Sequence, residues 1–371
     1  MATDDFDIAT TGHSGPRIGF LTAYVPEELF HAAGFTPVFI FPAPGDQGYA
    51  RAHLPSFVCW VVTSALNQAL SGQLDHLAGI AIAKTCDATQ GLADVWPQCV
   101  PHIPLFHFGM PLRLESPAAR IYLTTELKSL RQRLEALIGY AITDDDLRAS
   151  LSHYDQHRLW MHRLYAEAAH LSPSDLYRWV QAANRMAKPT HSARVQAFLV
   201  RRESAGGGPA ADAPRIILVG PVLGDAVLFE ALAEAGACVV GDMFDLGEDY
   251  LAADTNAHQP LDEESDPWDA LAARLLARLP TPTKYHPRRS RADHLLKRVA
   301  ERAAEGVIFA RQKFCEPHGF DYAALSRTLK QAHIPYLLIE LEQASQAGQL
   351  RTRIEAFVEL LAERRQQSDE V

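Results

Sequence analysis

The sequence predicts an α/β protein with two parallel-sheet, Rossmann-like (flavodoxin-like) domains that are joined by a helical segment. Three observations support this fold class. Strand-like apolar runs alternate with helical patterns near the beginning and near the end of the chain, which is typical of parallel sheets. The middle of the chain carries helical periodicity and few β-branched runs. A stretch of small residues, 203–212, marks a boundary, so we place the domains at residues 1–112, 113–203 and 204–371.

The first domain is predicted to contain four strands, at residues 17–22, 37–41, 79–84 and 104–108. A short helix over residues 25–34 should follow the first strand, because Pro26 suits a first helical turn and Gly34 suits a helix end. Glu27 and Glu28 would then lie at the positive end of the helix dipole, where carboxylates are stabilising.

The longer helices are predicted from apolar periodicity. The first covers residues 56–70, and its apolar side would hold Phe57, Trp60, Val61 and Ala65. The helical domain is predicted to hold three more, at residues 123–140, 144–171 and 174–187. In the third domain the predicted strands cover residues 215–220, 237–241, 306–311 and 336–340, and the predicted helices cover residues 225–235 and 351–363. The two α/β domains would therefore share one topology.

Composition limits the classes of function. The net charge of -10 and the lack of a Lys/Arg stripe argue against a nucleic-acid partner. No run of about 20 apolar residues occurs, so a membrane span is not expected. The acidic N-terminal residues lack the pattern of a signal peptide. Five widely spaced cysteines do not form a disulfide framework, and we expect a cytoplasmic protein with reduced thiols.

Short motifs argue against several common sites. Residues 220–225 follow a strand and open a helix, but the full G-x-G-x-x-G fingerprint is absent and Pro221 removes an amide donor. A plain tight turn is therefore favoured over a nucleotide site. The sequence has no C-x-x-C, H-E-x-x-H or G-x-S-x-G motif, which leaves standard zinc sites and hydrolase nucleophile elbows unsupported.

Three of the five cysteines are expected near the ends of strands. Cys86 and Cys315 follow predicted strands, and Cys59 lies near the start of a predicted helix. Ligands bind beyond the carboxyl ends of parallel strands, and thiolates from separate parts of a chain can converge on one soft metal centre. An iron–sulfur cluster held by three cysteines, with one iron left open, is the resulting hypothesis. Spacing alone leaves Cys99, in a proline-flanked loop, as a further candidate, whereas Cys238 suits a buried strand position.

Local motifs support that hypothesis independently. They comprise residues 23–38, Cys59 with Ser64-Ala65-Leu66, Lys84-Thr85-Cys86-Asp87, Lys313-Phe314-Cys315-Glu316-Pro317, and residues 348–357. In order and spacing these five segments resemble the signatures of the 2-hydroxyacyl-CoA dehydratase/benzoyl-CoA reductase family. The resemblance extends over nearly the whole chain, from Ile18 to Leu360.

The resemblance implies a [4Fe-4S] cluster with Cys59, Cys86 and Cys315 as its three cysteine ligands and one open iron. It also implies an acyl-CoA substrate, a homologous second subunit in a heterodimer or homodimer, and a separate ATP-hydrolysing iron–sulfur activator. No G-x-x-x-x-G-K-[ST] loop occurs, so this chain is not expected to be the activator. Thr22 replaces a small residue or cysteine of many relatives, and residues 279–287 lack another cysteine, which argues against a larger cluster.

The implied reactions are dehydration of a 2-hydroxyacyl-CoA or reduction of a benzoyl-CoA-type ring. One electron added to the thioester carbonyl gives a ketyl radical anion, which can expel hydroxide and acidify the β-hydrogen. Glu28, Glu27 and Thr22 are candidate catalytic residues, because they would lie near the expected cluster and could bind substrate or move a proton. The glutamates could instead only stabilise a helix N-terminus. An electron-relay subunit without catalysis and a structural metal-binding scaffold protein remain alternatives.

Overall fold

The computed structural model of the protein describes residues 15–205, 212–252, 265–342 and 347–369. The strands in these ranges are β1 (Arg17–Phe20), β2 (Thr36–Phe39), β3 (Leu77–Lys84), β4 (Leu105–Gly109), β5 (Arg215–Gly220), β6 (Cys238–Phe244), β7 (Gly306–Gln312) and β8 (Tyr336–Leu341). The helices are α1 (Glu27–Ala32), α2 (Gly48–Arg51), α3 (Trp60–Leu70), α4 (Asp87–Cys99), α5 (Pro117–Ile138), α6 (Asp144–Ala166), α7 (Pro173–Ala183), α8 (Lys188–Ala205), α9 (Val227–Glu234), α10 (Glu248–Leu251), α11 (Pro267–Ala277), α12 (Arg291–Glu301), α13 (Glu316–Gln331) and α14 (Ala347–Asp369). None of these described helices is both long and apolar enough to cross a lipid bilayer.

The described strands form two four-stranded sheets with the orders β2-β1-β3-β4 and β6-β5-β7-β8. Every pair of neighbouring strands is parallel. Each order matches the first four strands of the flavodoxin-like fold, so the topological switch point of each sheet lies between its first and third strands. The predicted α/β class with two Rossmann-like parallel sheets is confirmed.

Helices cover both faces of the sheets, which explains why the strands are near-continuous apolar runs. All residues of β6 are buried, and so are the consecutive residues from Gly79 to Ala83 in β3. One core joins Ile18 of the first sheet, Leu164 of the helical segment and Ile216 of the second sheet. The predicted domain boundaries stay a prediction, and residues 206–211 of the small-residue stretch lie outside the described residues.

The start of α3 differs from the prediction. The helix begins at Trp60 and not at residue 56, because Cys59 has extended backbone angles and occupies the N-cap position. Phe57 was predicted on the apolar side of this helix, but it precedes the helix and is 66% exposed. The correction matters for the site, since it places a cysteine at the helix terminus and not within the first turn.

Two other predictions were wrong in detail. The predicted helix 174–187 is α7, which ends at Ala183 because Asn184 is its C-cap residue and its side-chain amide donates to the Val180 carbonyl at 2.8 Å; α8, which begins at Lys188, was not predicted. Cys99 was predicted in a loop, but it lies in the last turn of α4. Pro97 lies inside α4, where it removes one i→i−4 hydrogen bond, and the helix ends two residues later.

A pair of histidines is buried between α6, α7 and α8. The rings of His157 and His191 are 2% and 0% exposed, and their Nε2 and Nδ1 atoms are 3.1 Å apart. His191 Nε2 lies 3.2 Å from the Trp179 carbonyl oxygen. Burial lowers the pKa of His157 well below its usual value and lowers the pKa of His191 to about 3. Both rings are therefore neutral in the folded protein at neutral pH.

This pair should make folding stability depend on pH. Unfolded histidine titrates near pH 6.5, so between about pH 6.5 and 3 the unfolded chain binds more protons than the folded chain. The stabilisation that the neutral histidine pair gives the folded state is complete above pH 6.5 and is lost as the pH falls. We expect the free energy of unfolding to drop by up to about 1.4 kcal/mol per pH unit for each ring below that value.

Urea unfolding between pH 5 and 7.5 measures this slope, and the double variant His157→Gln, His191→Gln should flatten it. The raised pKa of Asp242, about 6 because of burial, acts in the opposite direction in this window. Because Asp242 is common to both proteins, the difference between them isolates the histidines. Equal slopes in the two proteins would contradict the prediction.

Candidate functional site

The carboxyl ends of the two sheets meet at one cavity. It encloses about 640 Å³ of empty space, its open mouth included. The loops that follow β1 and β5 line it, and so do residues beyond the ends of β3, β6 and β7. Both topological switch points therefore contribute, which is where open α/β sheets bind ligands. The lining residues that the argument uses are Thr22, Cys59, Cys86, Thr89, Asp245, Thr283, Cys315 and His318.

All three predicted cysteine ligands line this cavity, and each is the N-cap residue of a helix. Cys59 caps α3, Cys86 caps α4 and Cys315 caps α13. The first backbone amides of a helix have no partner within the helix, and the dipole is positive at that end. A helix N-terminus therefore stabilises a thiolate. Cys86 lies two residues after the end of β3, Cys315 follows a two-residue turn after β7, and Cys59 follows the turn at residues 56–57; each then precedes a helix-forming run.

Local contacts fix two of the cysteines. The Cys86 backbone amide donates to the Thr89 hydroxyl at 3.2 Å, and this hydroxyl lies 3.6 Å from Cys86 Sγ. The Cys315 amide donates to the Gln312 carbonyl at 3.0 Å. Phe314 has a φ of 64°, a left-handed conformation that is unusual for a bulky residue. This turn separates the end of β7 from the cap of α13 and brings Cys315 to the cavity.

The cavity by itself is unfavourable for free thiolates. Burial raises the pKa of the Cys59 thiol to about 11, and the Cys86 thiol acts in the same direction. Burial also raises the pKa of Cys315 well above its usual range, and Cys59 and Cys86 add to this effect. The three thiols are thus close enough to affect one another's charge. A bound metal compensates such charge and deprotonates coordinating thiols outright.

The chemistry of the three cavity donors is compatible with an iron–sulfur cluster, because thiolates are the ligands that such clusters take. In the described part of the chain, no group of three or more His, Cys, Asp or Glu side chains is arranged to hold a metal ion.

The remaining two cysteines lie elsewhere. Cys238 is 3% exposed on β6, packs in the core of the second sheet, and donates from Sγ to the Ala169 carbonyl at 3.2 Å. Cys99, at the end of α4, packs against the core of the first sheet. Neither residue lines the cavity. They are suitable control positions for the three cysteines that do.

Thr22 lies at the cavity, whereas Glu27 and Glu28 do not line it. The Thr22 hydroxyl accepts from the Ala83 amide at 2.9 Å and lies 3.2 Å from the Ala83 carbonyl, and so bridges the ends of β1 and β3. Glu27 contacts Lys188 at 3.0 Å and accepts from the Tyr250 hydroxyl. The catalytic roles of all three residues stay predictions.

Glu28 is fully buried and paired with Arg158. Burial by itself raises the pKa of the Glu28 carboxyl, but the guanidinium groups of Arg158 and Arg278 outweigh it and lower the pKa to about 2. The carboxylate is therefore ionised and held in an ion pair, which is a structural role that goes beyond stabilising the helix dipole.

Sequence reasoning missed the pair of His318 and Asp245. His318 Nε2 lies 3.1 Å from Asp245 Oδ2, and both residues line the cavity. His318 is 6% exposed and follows Cys315 by one helical turn. The i, i+3 spacing from Cys315 could have identified the histidine. Nothing in the sequence points to Asp245, which comes from the other side of the second sheet, after β6.

Comparisons with known proteins identify the family of the chain. The family model described as "2-hydroxyglutaryl-CoA dehydratase, D-component" matches residues 22–361. The chain therefore belongs to this family of enzyme components, and the resemblance predicted from its motifs is confirmed. The beta subunit of (R)-phenyllactyl-CoA dehydratase from Clostridium sporogenes is 29% identical over 350 residues, which cover 93% of this chain and 91% of the relative.

Two further relatives extend the range of named activities. The beta subunit of lactoyl-CoA dehydratase from Anaerotignum propionicum is 27% identical over 368 residues, covering 97% of this chain and 95% of the relative. A benzoyl-CoA reductase subunit from Thauera aromatica is 28% identical over 357 residues, covering 90% of this chain and 87% of the relative. The prediction that the chain is a subunit of the dehydratase or reductase type is confirmed at the level of the family.

The Glu28–Arg158 pair can be tested as a structural element. Arg158→Met should destabilise the protein by about 3–5 kcal/mol, because it leaves a buried carboxylate without its partner. Arg163→Met, at an exposed position on the same helix, should change stability by less than about 0.5 kcal/mol. The free energy of unfolding in urea measures both effects. A similar loss in the two variants would contradict the role given to the pair.

Proposed function

We propose that the cavity holds a [4Fe-4S] cluster with Cys59, Cys86 and Cys315 as ligands, and that the chain is the iron–sulfur subunit of a radical acyl-CoA enzyme. The observation that supports this most is that three cysteines from distant parts of the chain cap three helices around one cavity. Three cysteines leave one iron of a four-iron cluster without a protein thiolate.

When bound, the cluster would supply single electrons at low potential for dehydration of a 2-hydroxyacyl-CoA or reduction of a benzoyl-CoA-type ring. The chain's own residues hold and shield that centre. Apolar side chains, among them Leu21, Val62 and Val222, line the cavity and limit the access of water. Thr22 lies at the cavity with its hydroxyl bonded to the Ala83 backbone, and His318 with Asp245 presents a polar pair there.

The proposed partners follow from the names of the relatives. All three of those relatives are named as subunits, so we propose that this chain also assembles with a second, homologous subunit. The chain has no phosphate-binding loop of the G-x-x-x-x-G-K-[ST] type, and a separate ATP-hydrolysing iron–sulfur activator would provide the electron. An acyl-CoA is the proposed substrate of the assembled enzyme.

Two alternatives make different use of the same cavity. In the relay alternative, the cluster passes electrons to a catalytic partner, and the substrate never approaches this chain. The name "beta subunit" favours neither role, since it describes a position in an assembly. In the scaffold alternative, the cysteines hold a metal only for stability. The placement of the cysteines at the switch points, where α/β sheets bind ligands, supports a functional centre over a scaffold.

The cluster proposal predicts iron content. Protein purified without oxygen should contain about four iron atoms and matching sulfide per chain. Cys59→Ser, Cys86→Ser and Cys315→Ser should each lower the iron content well below one cluster per chain, because each removes a thiolate. Cys238→Ser and Cys99→Ser are matched controls and should keep full iron. Retention of full iron by all three cavity variants would overturn the ligand assignment, and zinc without sulfide would favour the scaffold.

Substrate binding distinguishes catalysis from relay. If this subunit is catalytic, 2-hydroxyacyl-CoA or benzoyl-CoA added to the isolated chain should change the absorption and paramagnetic resonance spectra of its cluster. In Thr22→Val, the apparent affinity for the thioester, read from this spectral change, should fall by about tenfold or less, since one hydroxyl contributes about 0.5–1.5 kcal/mol. Iron content should remain at the wild-type level in this variant. Unchanged spectra across the panel of thioesters would support the relay.

A further inference from the structure

A segment of the second half of the chain crosses to the first sheet and closes one side of the cavity. It joins α11 to α12 and spans residues 278–290. The Tyr285 amide donates to the Leu112 carbonyl, and the Leu114 amide donates to the Tyr285 carbonyl, both at 2.9 Å. The Thr281 amide donates to the Tyr24 hydroxyl at 3.1 Å. These bonds fix the backbone of the segment, and Thr281 and Thr283 line the cavity.

Lys284 follows Thr283 in this segment and inserts its ammonium at the carboxyl ends of two neighbouring strands. Its Nζ donates to the Lys84 carbonyl at 3.2 Å and to the Met110 carbonyl at 3.3 Å. The Tyr24 ring lies 5.9 Å from the same nitrogen. Lys284 itself does not line the cavity, but its neighbour Thr283 does, and Lys84 lies two residues before Cys86, so the ammonium is held at the edge of the cavity on the side of Cys86.

The environment of Lys284 differs from that of other buried cations in this protein. Arg158, Lys188 and Arg298 each form an ion pair with a carboxylate. In the described part of the chain, no carboxylate lies within 4.0 Å of the Lys284 ammonium. Burial lowers the pKa of Lys284 to about 8, and the Cys86 thiol opposes this shift because the two charges interact. Burial therefore costs this cation free energy that no ion pair with a carboxylate in the described ranges offsets.

We propose that Lys284 is the counter-charge of the centre held at the cavity cysteines and that it raises the reduction potential of this centre. The inference rests on the proposed cluster. Reduction adds one electron and no proton, so the negative charge at the cavity increases by one. A fixed ammonium close by stabilises the reduced form more than the oxidised form. Lys284 acts through the cluster and is therefore a positioning and tuning residue, without contact to the reacting atoms.

The test compares the reduction potential of variants in the isolated, iron-loaded chain. K284Q keeps an amide that can donate to the two carbonyls but removes the charge. At a fixed potential set by a titanium(III) reductant, its reduced-to-oxidised ratio should fall by about tenfold, equal to about 59 mV for a one-electron couple. K284R keeps the charge, and its reduced-to-oxidised ratio should stay within about twofold of the wild-type ratio. K297Q, which removes an exposed lysine of α12, should match wild type.

The outcomes separate this inference from the proposed function. If K284Q has full iron content and the wild-type ratio of reduced to oxidised centre, the inference about Lys284 is overturned, and the cluster proposal still stands. Absence of iron from wild-type protein would overturn both. If K284Q loads less iron, the ratio is read from the loaded fraction, because the potential is a property of each centre. Equal falls in K284Q and K284R would mean that packing, and not charge, sets the potential, and would also overturn the inference.

Discussion

The buried carboxylates at the start of α1 are the constraint on which the arrangement of the site depends. Glu27 and Glu28 are almost fully inaccessible to solvent, and a buried charge without a partner costs several kcal/mol. Their partners come from three separate parts of the chain: Arg158 on α6, Lys188 on α8 and Tyr250 on α10. The helical segment and the second half must therefore dock on α1 together. This docking fixes the preceding loop, which carries Thr22 to the cavity.

The site exists only when both halves of the chain are folded. The first half contributes Cys59 and Cys86, and the second contributes Cys315. The halves also hold each other at this edge: Arg278 donates to the Ala23 carbonyl, and the backbone of Gly224 approaches Pro42 so closely that a β-carbon would clash. A glycine is required at that position for steric reasons. If the cavity binds the proposed cluster, metal loading and docking of the halves would be coupled, since each would stabilise the same arrangement.

Much of the fold, and the placement of the three cavity cysteines, could be predicted from the sequence because parallel strands have strong local signals. All eight described strands lie where apolar, β-branched runs predicted them, and β5 matches its predicted bounds of 215–220. The α/β topology rule then brought the cysteines to one edge. The helices α8, α11 and α12 were not predicted, and α4 and α13 were missed because Gly91, Pro97 and Gly319 interrupt their patterns. The ion pairs of α1, the His318–Asp245 pair and the Lys284 contacts were beyond sequence reasoning. They join residues separated by 73 to 200 positions, so only the tertiary packing of distant segments determines them.

The electrostatic balance of the cavity argues that it is more than a packed interface. The Cys59 and Cys315 thiols have a raised pKa, so they are neutral at neutral pH and cost little to bury. The half-buried ammonium, which no carboxylate in the described ranges neutralises, is a costly way to fill space, and an apolar side chain of similar volume would pack as well without this penalty. The cost becomes understandable if the thiols are deprotonated by a metal centre, since the ammonium then faces a net negative charge. The same balance accounts for the apolar lining, because low polarity around the centre strengthens the effect of this nearby cation.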